Sequence, residues 1–170
     1  MLTDAAGVRI RLYERHGDRR LLDKSIALLE EAVTLAPQGS VPDALASSYL
    51  GVAYGHRFDL TREPRDLRRA VELANRSIKA TSTADFRAPI YVLNLGVQSV
   101  RVFDETGSGE ALEGAIGVLT EAAKTRPGSP VHRSAAALLA DLYLERYSRD
   151  LRPSDLERSK AWDRLANPLV

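Results

Sequence analysis

The chain has 170 residues, 44% of them hydrophobic and 28% charged, which is the balance of a globular domain rather than of a disordered chain. It contains no cysteine, which excludes disulfides, thiolate metal sites and cysteine nucleophiles and fits a reducing cytoplasm. The net charge of +1 gives no reason to expect nucleic acid or a membrane as partner, and the apolar stretches are too short to span a bilayer. The first residues show no basic stretch followed by an apolar run, so we expect no signal peptide and a cytoplasmic location.

Hydrophobic periodicity predicts eight helices. Apolar and small residues recur with the 3.6-residue period of amphipathic helices, and no stretch alternates with the period of two that strands require. Serine, aspartate and proline mark the expected helix starts. These start signals are Asp18, Pro42, Pro64, Asp85, Ser108, Ser129-Pro130 and Ser154. The helices are expected near residues 2–16, 19–36, 42–58, 64–82, 85–104, 109–125, 130–149 and 154–166.

A repeat of 44 or 45 residues organises these helices into four pairs. Its anchor is an aromatic residue followed nine positions later by leucine, at Tyr13 and Leu22, Phe58 and Leu67, Phe103 and Leu112, and Tyr147 and Leu156. Small residues follow each leucine at the third and tenth positions, and they are Ser25, Ala32, Ala70, Ser77, Ala115, Ala122, Ser159 and Ala166. A fixed period of this length is typical of helical repeat proteins, in which each pair buries its apolar face against its neighbours.

Gly51 and Gly96 occupy the same position in repeats 2 and 3, seven residues before the aromatic. Because two backbones approach closely only where a side chain is small, we expect these glycines to mark the contact between the two helices of a pair. The pattern predicts an all-α fold, an α-solenoid of four helix-turn-helix hairpins in a right-handed superhelical array. We expect one domain over residues 1–170, with repeats at about 2–37, 42–82, 85–127 and 130–166.

The repeat resembles the tetratricopeptide repeat. The matching residues are Leu50, Gly51, Tyr54, Ala70, Ala74, Ser77 and Ser82 in repeat 2, and Leu95, Gly96, Ala115, Leu119, Ala122 and Pro127 in repeat 3. Repeats 1 and 4 match through Ser25, Leu29, Ala32 and Pro37, and through Leu139, Ala140, Tyr143, Ser159 and Ala166. About 34 residues is typical of that family, so these repeats are longer, and Ser99 stands where tyrosine is expected. The resemblance implies a module that binds a protein or peptide in a groove lined by the first helix of each pair.

The longer spacing has a resemblance of its own. Residues 12–18, followed by Leu22-Asp23 and residues 26–33, are similar to repeats that accompany CHAT-type peptidase domains in large bacterial proteins. This similarity implies a scaffold or sensor arm that regulates an attached effector, and a chain that is a fragment of a larger protein. No part of the peptidase is recognised in these residues.

No pattern in the chain predicts catalysis, a cofactor or a metal. His16, His56 and His132 lack the spacings of metal-binding helices, and a capping or solvated role is the ordinary explanation for the first two. The segment Gly107-Ser108-Gly109 is interpreted as a turn and helix N-cap rather than as a dinucleotide loop. No nucleophile elbow or P-loop occurs, so we expect a protein that is not an enzyme.

A cluster of arginines gives the strongest local positive charge. Arg62, Arg65, Arg68 and Arg69 alternate with acidic residues that include Asp66. This alternation is more typical of an exposed helix that forms salt bridges on its surface than of a phosphate-binding site.

Twelve residues of the first helices line the groove that the resemblance implies. They are Leu45, Ser48, Val52 and His56 in repeat 2, Ile90, Leu93, Val97 and Arg101 in repeat 3, and Ala137, Asp141, Leu144 and Glu145 in repeat 4. Two explanations stay open for the apolar members, which either contact a partner or pack between helices. An extended or helical peptide with apolar anchors suits the set. The acids four residues apart, Asp141 and Glu145, either attract a cation or belong to a solvated face, and we interpret them as a solvated face.

The last helix has an apolar face that no other predicted helix covers. Trp162 occupies the position of Leu28, Leu73 and Val118, so it is interpreted as a core residue. The uncovered face fits either a fragment of a longer protein or a homodimer that pairs through this end. The expected function is a protein–protein interaction scaffold with a protein or peptide as partner, and the alternative is a ligand- or peptide-sensing module that regulates an effector.

Overall fold

The computed structural model describes residues 2–168, which form eight helices and no strand. The helices are α1 (Leu2–His16), α2 (Arg19–Leu35), α3 (Val41–Thr61), α4 (Pro64–Lys79), α5 (Ala88–Thr106), α6 (Gly109–Ala123), α7 (Pro130–Asp150) and α8 (Pro153–Ala166). Each one overlaps its predicted range, so the all-α class and the number of hairpins are confirmed.

Side-chain caps set four of the eight helix starts. Asp18 accepts the backbone N–H of Arg20 at the start of α2, as its position in the sequence predicts. Ser40, Ser108 and Ser129 cap α3, α6 and α7 by accepting the N–H three residues further on.

Two predicted starts are wrong. α8 begins at Pro153, so Ser154 lies inside the helix, and Arg152 at the N-cap position makes no side-chain cap. α5 begins at Ala88 rather than at Asp85, because the Asp85 carboxylate accepts the N–H of Arg87 at 2.9 Å and holds a turn there.

Consecutive helices pack in pairs. α1 packs on α2, α3 on α4 and α7 on α8, and α2 and α6 each pack on the helix that follows. The contacts divide the chain between Asn94 and Leu95, inside α5, into an N-terminal and a C-terminal unit. The single domain and the right-handed superhelix expected from the sequence stay predictions.

The repeat leucines form the interior of the N-terminal unit. Leu22, Leu29, Leu50 and Leu73 are each at most 1% exposed. A Cβ atom on Gly51 would lie 3.1 Å from a backbone carbonyl oxygen of α4, so this glycine marks a close approach of two helices, as predicted.

The C-terminal unit repeats this arrangement. A Cβ atom on Gly96 would lie 2.5 Å from Cδ2 of the buried Leu119, so α5 and α6 approach each other closely at this glycine. Ser159 donates a hydrogen bond of 2.8 Å to the carbonyl oxygen of Ala140. Ser25 makes the corresponding bond to Ala6 in the first hairpin, so the small residues of the repeat both fill and bond the contact between paired helices.

A buried ion pair joins the two helices of the second hairpin, and another joins the two helices of the fourth hairpin. Arg57 donates two hydrogen bonds of 2.7 Å to Asp66, and its guanidinium lies over the ring of Tyr54. The interpretation of Asp66 as one of the acids on an exposed helix face is therefore wrong, because its carboxylate is buried against this partner. The hydrogen bonds that Arg57 donates to Asp66 raise the pKa of Arg57 above its ordinary value.

The fourth hairpin repeats the ion pair 89 residues later. Arg146 donates to Asp155 at 2.7 and 3.1 Å, lies over the Tyr143 ring, and also donates to Glu113 of α6. The hydrogen bonds from Arg146 hold the pKa of Asp155 below its ordinary value.

α8 differs from the other second helices on the face that they turn toward a following hairpin. Repeats 1 and 3 place Ile26, Leu29 and Val33, and Ile116, Leu119 and Ala123, at three positions that are buried. The same positions of α8 hold Lys160, Asp163 and Asn167, all exposed. Leu165, at 46% exposure, is the large apolar side chain that remains open on this helix.

Candidate protein-binding surfaces

The predicted groove residues of the N-terminal unit are mostly engaged in packing. Ser48 is buried and accepts a hydrogen bond of 2.8 Å from the Asn94 side chain, while Val52 packs against the interior of the unit. Leu45 and Leu93 are half-buried, and Ile90 is 45% exposed.

His56 links α3 to α1 rather than facing an open groove. Its Nε2 atom lies 3.0 Å from the Glu14 carboxylate, and its ring packs at 5.4 Å from the ring of Tyr13. The carboxylate of Asp59 lies 3.9 Å from Nδ1. These contacts give His56 a structural role in holding the first two hairpins together.

The predicted residues of the C-terminal unit are more accessible. Ala137 and Asp141 are exposed, and Leu144 is 49% exposed. Val97 is half-buried, and Arg101 donates to the Gln98 side chain at 3.2 Å.

A cleft of about 290 Å³ lies between α5 and α7, the first helices of repeats 3 and 4. Its apolar lining consists of Val100, Phe103, Leu138 and Leu142. Its acidic lining consists of Asp104, Asp141 and Glu145. The cleft therefore joins two of the predicted groove residues, Asp141 and Glu145, to five residues that were not in the predicted set.

Arg149 closes one end of this α5–α7 cleft. It donates to Glu145 at 2.9 Å and to the Gly107 carbonyl oxygen at 2.8 Å, and its guanidinium lies 4.8 Å from the centre of the Phe103 ring. The arginine thus covers the aromatic residue and neutralises part of the acidic rim.

The repeat contains a signal for the missed residues. Phe103 is the aromatic residue that anchors repeat 3. Val100 lies one helical turn before it and Asp104 directly after it, so all three share the end of α5 that approaches α7. Counting turns from the aromatic, rather than transferring positions from a shorter repeat, would have selected them.

Two wider depressions in the N-terminal unit, each of about 540 Å³, are lined mainly by polar and charged side chains. In the first, Arg57 and Asp66 pair with each other, and Glu30 accepts from the Tyr54 hydroxyl. Burial, followed by that hydrogen bond, raises the pKa of Tyr54. In the second, the buried carboxylate of Asp43 pairs with Arg76.

The four lysines belong to second helices or to their C-terminal ends. Lys24 belongs to α2, Lys79 to α4 and Lys160 to α8, and Lys124 is the C-cap of α6. All four are exposed, and all lie on or at the end of second helices.

Among residues 2–168, no group of three or more histidine and carboxylate side chains is placed to hold a metal ion. Within the same range, no helix is long and apolar enough to cross a membrane.

Comparison with known proteins shows a likeness in structure and none in sequence. No family model matches the chain, and no curated protein is significantly similar to it in sequence. The crystal structure of a de novo designed helical repeat protein is similar over 98% of this chain and 90% of that chain, with 20% identity and a TM-score of 0.41. Membership of the tetratricopeptide repeat family stays a prediction, and the fold rests on the helix pairs described above.

Proposed function

We propose that this chain is a protein–protein interaction scaffold that binds a protein or peptide through its first helices, as a regulatory arm of a larger bacterial protein. The observation that carries the proposal is the α5–α7 cleft, an apolar depression between two first helices. Second helices, in contrast, turn most of their apolar residues inward and leave mainly charged side chains outside, with Leu35 and Leu165 as the large apolar side chains that stay exposed.

The shape of the depressions favours a protein partner over the alternative of a small-molecule sensor. Pockets for small molecules are concave, mostly apolar, and hold about 300–1,000 Å³. The two depressions of that size in the N-terminal unit are lined mainly by polar and charged side chains, several of which are already paired. The apolar cleft, at about 290 Å³, is at the lower edge of the range and suits the side chains of a partner's surface.

Site-specific photo-crosslinking tests the proposal. A photoreactive phenylalanine derivative replaces Leu144 on α7 in one variant and Leu165 on α8 in the other, two leucines of matched exposure at 49% and 46%. We expect crosslinks to a partner protein in the native host from position 144 and none to that protein from position 165. Equal capture from both positions, or none from position 144, would contradict binding through the first helices.

The same experiment tests the homodimer through the C-terminal end that the sequence leaves open as an alternative. Crosslinks between two copies from position 165, together with a doubled mass by light scattering, would support pairing through α8. A mass that stays monomeric as the concentration rises would remove this arrangement and leave the scaffold proposal intact.

A further inference from the structure

We infer that the α5–α7 cleft selects a protein segment in which an apolar side chain stands next to a lysine or arginine. This inference rests on the proposed function and names the chemistry of the partner. The apolar floor favours the apolar side chain of such a segment, and the acidic rim favours its lysine or arginine.

The floor provides the apolar half of the selectivity. Phe103 and Leu142 are 6% and 4% exposed at its base, while Val100 and Leu138 are half-buried at its sides. The apolar area still open to a partner is therefore mainly that of Val100 and Leu138, and covering it stabilises a complex by about 25 cal/mol per Å² removed from water. The volume of about 290 Å³ has room for one or two large side chains rather than for a whole small-molecule ligand.

The rim provides the charge. Three carboxylates, from Asp104, Asp141 and Glu145, border the cleft. Glu145 is engaged with Arg149, and Asp104 also takes part in an interaction of its own, so the exposed carboxylate of Asp141 is the one that the rim offers to a partner. Complementary charge across an interface steers association and excludes partners of the same sign. An acidic segment would meet the carboxylate of Asp141 directly, whereas a basic one would pair with it.

Comparison among the repeats indicates that helix packing does not require these acids. The position of Asp141 holds Val52 in repeat 2 and Val97 in repeat 3. The position of Glu145 holds His56 and Arg101 in those repeats. The buried neighbours Leu139 and Ala140 keep the repeat pattern, so the change to carboxylates is confined to the side that faces the cleft.

A random twelve-residue peptide library displayed on phage and selected on the whole chain provides the probe. We expect the enriched peptides to carry lysine or arginine within a few residues of leucine, phenylalanine or another large apolar residue. A synthetic peptide of the most enriched sequence is then titrated against the wild-type chain and against two charge-reversal variants.

Asp141→Lys reverses a charge on the rim, and Glu157→Lys makes the same change on the exposed surface of α8. We expect Asp141→Lys to weaken binding of the peptide about tenfold and Glu157→Lys to change it by less than about twofold, since isolated exposed charges contribute little. Binding to the wild-type chain should also weaken as salt rises, because salt screens exposed charges. Unchanged thermal unfolding of both variants would confirm that they fold alike.

Three results would overturn the inference: no enrichment of any peptide, enrichment of acidic or uncharged apolar peptides, or equal effects of the two variants. These results are distinguishable from failure of the proposed function. A partner crosslinked from position 144 through an acidic segment would refute the basic selectivity and leave the scaffold intact, whereas absence of any partner at position 144 would refute both.

Discussion

Arg146 is held between two carboxylates that belong to different helices. Asp155 of α8 is 2% exposed at the side chain, and Glu113 of α6 is largely exposed. The arginine side chain itself is 12% exposed and covers the ring of Tyr143. Removing it would leave the Asp155 carboxylate away from water, with Arg158 at 3.9 Å as the nearest remaining cation that the described residues offer.

We expect Arg146→Met to lower the free energy of unfolding by about 3 kcal/mol, because breaking a buried pair leaves an uncompensated charge. Urea denaturation followed by circular dichroism measures the loss. The double variant Arg146→Met with Asp155→Leu should recover much of it, since a pair of apolar residues leaves no buried charge. A double variant that is less stable than Arg146→Met would contradict this explanation.

The same pair makes stability depend on acid pH. The folded pKa of Asp155 is lowered by its hydrogen bonds with Arg146, so its contribution is complete above the unfolded pKa of about 4 and is lost as pH falls through the folded value. We expect the free energy of unfolding to fall below about pH 4, and to fall less steeply in Asp155→Asn. Urea titrations between about pH 2 and pH 7 test this, and identical slopes for both chains would assign the acid loss to other carboxylates.

Gly96 and Gly117 should respond in opposite ways to the same substitution. Both lie inside helices, but a Cβ atom on Gly96 would meet Leu119, whereas one on Gly117 would meet nothing within 4 Å. Gly96→Ala should therefore cost about 1–3 kcal/mol through overpacking. Gly117→Ala should stabilise by about 0.5–1 kcal/mol through helix propensity. Melting temperatures that move in the same direction would refute the close contact at Gly96.

At the scale of single helices, a comparable pair of substitutions tests the caps. Ser108 accepts the backbone N–H of Ala111 at 3.0 Å, whereas Ser154 is exposed inside the first turn of α8. We expect Ser108→Ala to cost about 1 kcal/mol and Ser154→Ala to stay within about 0.5 kcal/mol of the wild-type chain. A similar loss in both variants, measured by urea denaturation, would mean that Ser154 also caps its helix.

The helices were largely predictable because each depends on neighbouring residues. The leucine stripe and caps such as Asp18 and Ser108 act within one or two turns, so the sequence contains them directly. The errors in the helix bounds arose where a polar side chain can form a hydrogen bond either inside a helix or in a turn beside it. Asp85 holds a turn instead of a helix, and Thr81 bonds back to the Ser77 carbonyl near the early end of α4.

The surfaces were less predictable because they depend on contacts distant in sequence. Asp141 and Glu145 were selected by transfer from a shorter repeat, and both line the cleft. The burial of Asp66 was missed, although the nine-residue spacing of Arg57 and Asp66 recurs at Arg146 and Asp155. The sequence shows this recurrence, but the burial of the Asp66 carboxylate becomes apparent only from the packing of the helices.

Across the whole chain, the ion pairs alternate with the repeats. Repeats 2 and 4 contain the tyrosine, arginine and aspartate of the network at identical spacing, as Tyr54, Arg57 and Asp66, and as Tyr143, Arg146 and Asp155. Repeat 3 has Ser99, Val102 and Ala111 at those places. The ion-pair network therefore recurs after two hairpins, although the apolar packing pattern recurs in every hairpin.

The polar residues on the open face of α8 predict that the chain does not assemble with itself through this helix. We expect the triple substitution Lys160→Ile, Asp163→Leu and Asn167→Val, which restores the residues of α2, to cause self-association that grows with concentration in light scattering. Val8 on α1 is 48% exposed, whereas its counterparts Ala53, Gln98 and Leu142 are buried, so this helix offers the complementary surface.

Val8→Glu added to the triple variant is the control. It should suppress the association, because a charge would then be buried in the contact between copies. A triple variant whose mass stays at that of one chain would show that the three polar residues do not restrict assembly.

The placement of the lysines has a practical consequence for measuring any partner. Reagents that couple primary amines to a sensor surface react with lysine side chains and the α-amino group, and the described lysines all lie on second helices. None of them lines the α5–α7 cleft. With no cysteine to compete, amine coupling attaches the protein without modifying a residue of the cleft, so an immobilised chain keeps its candidate binding surface chemically intact.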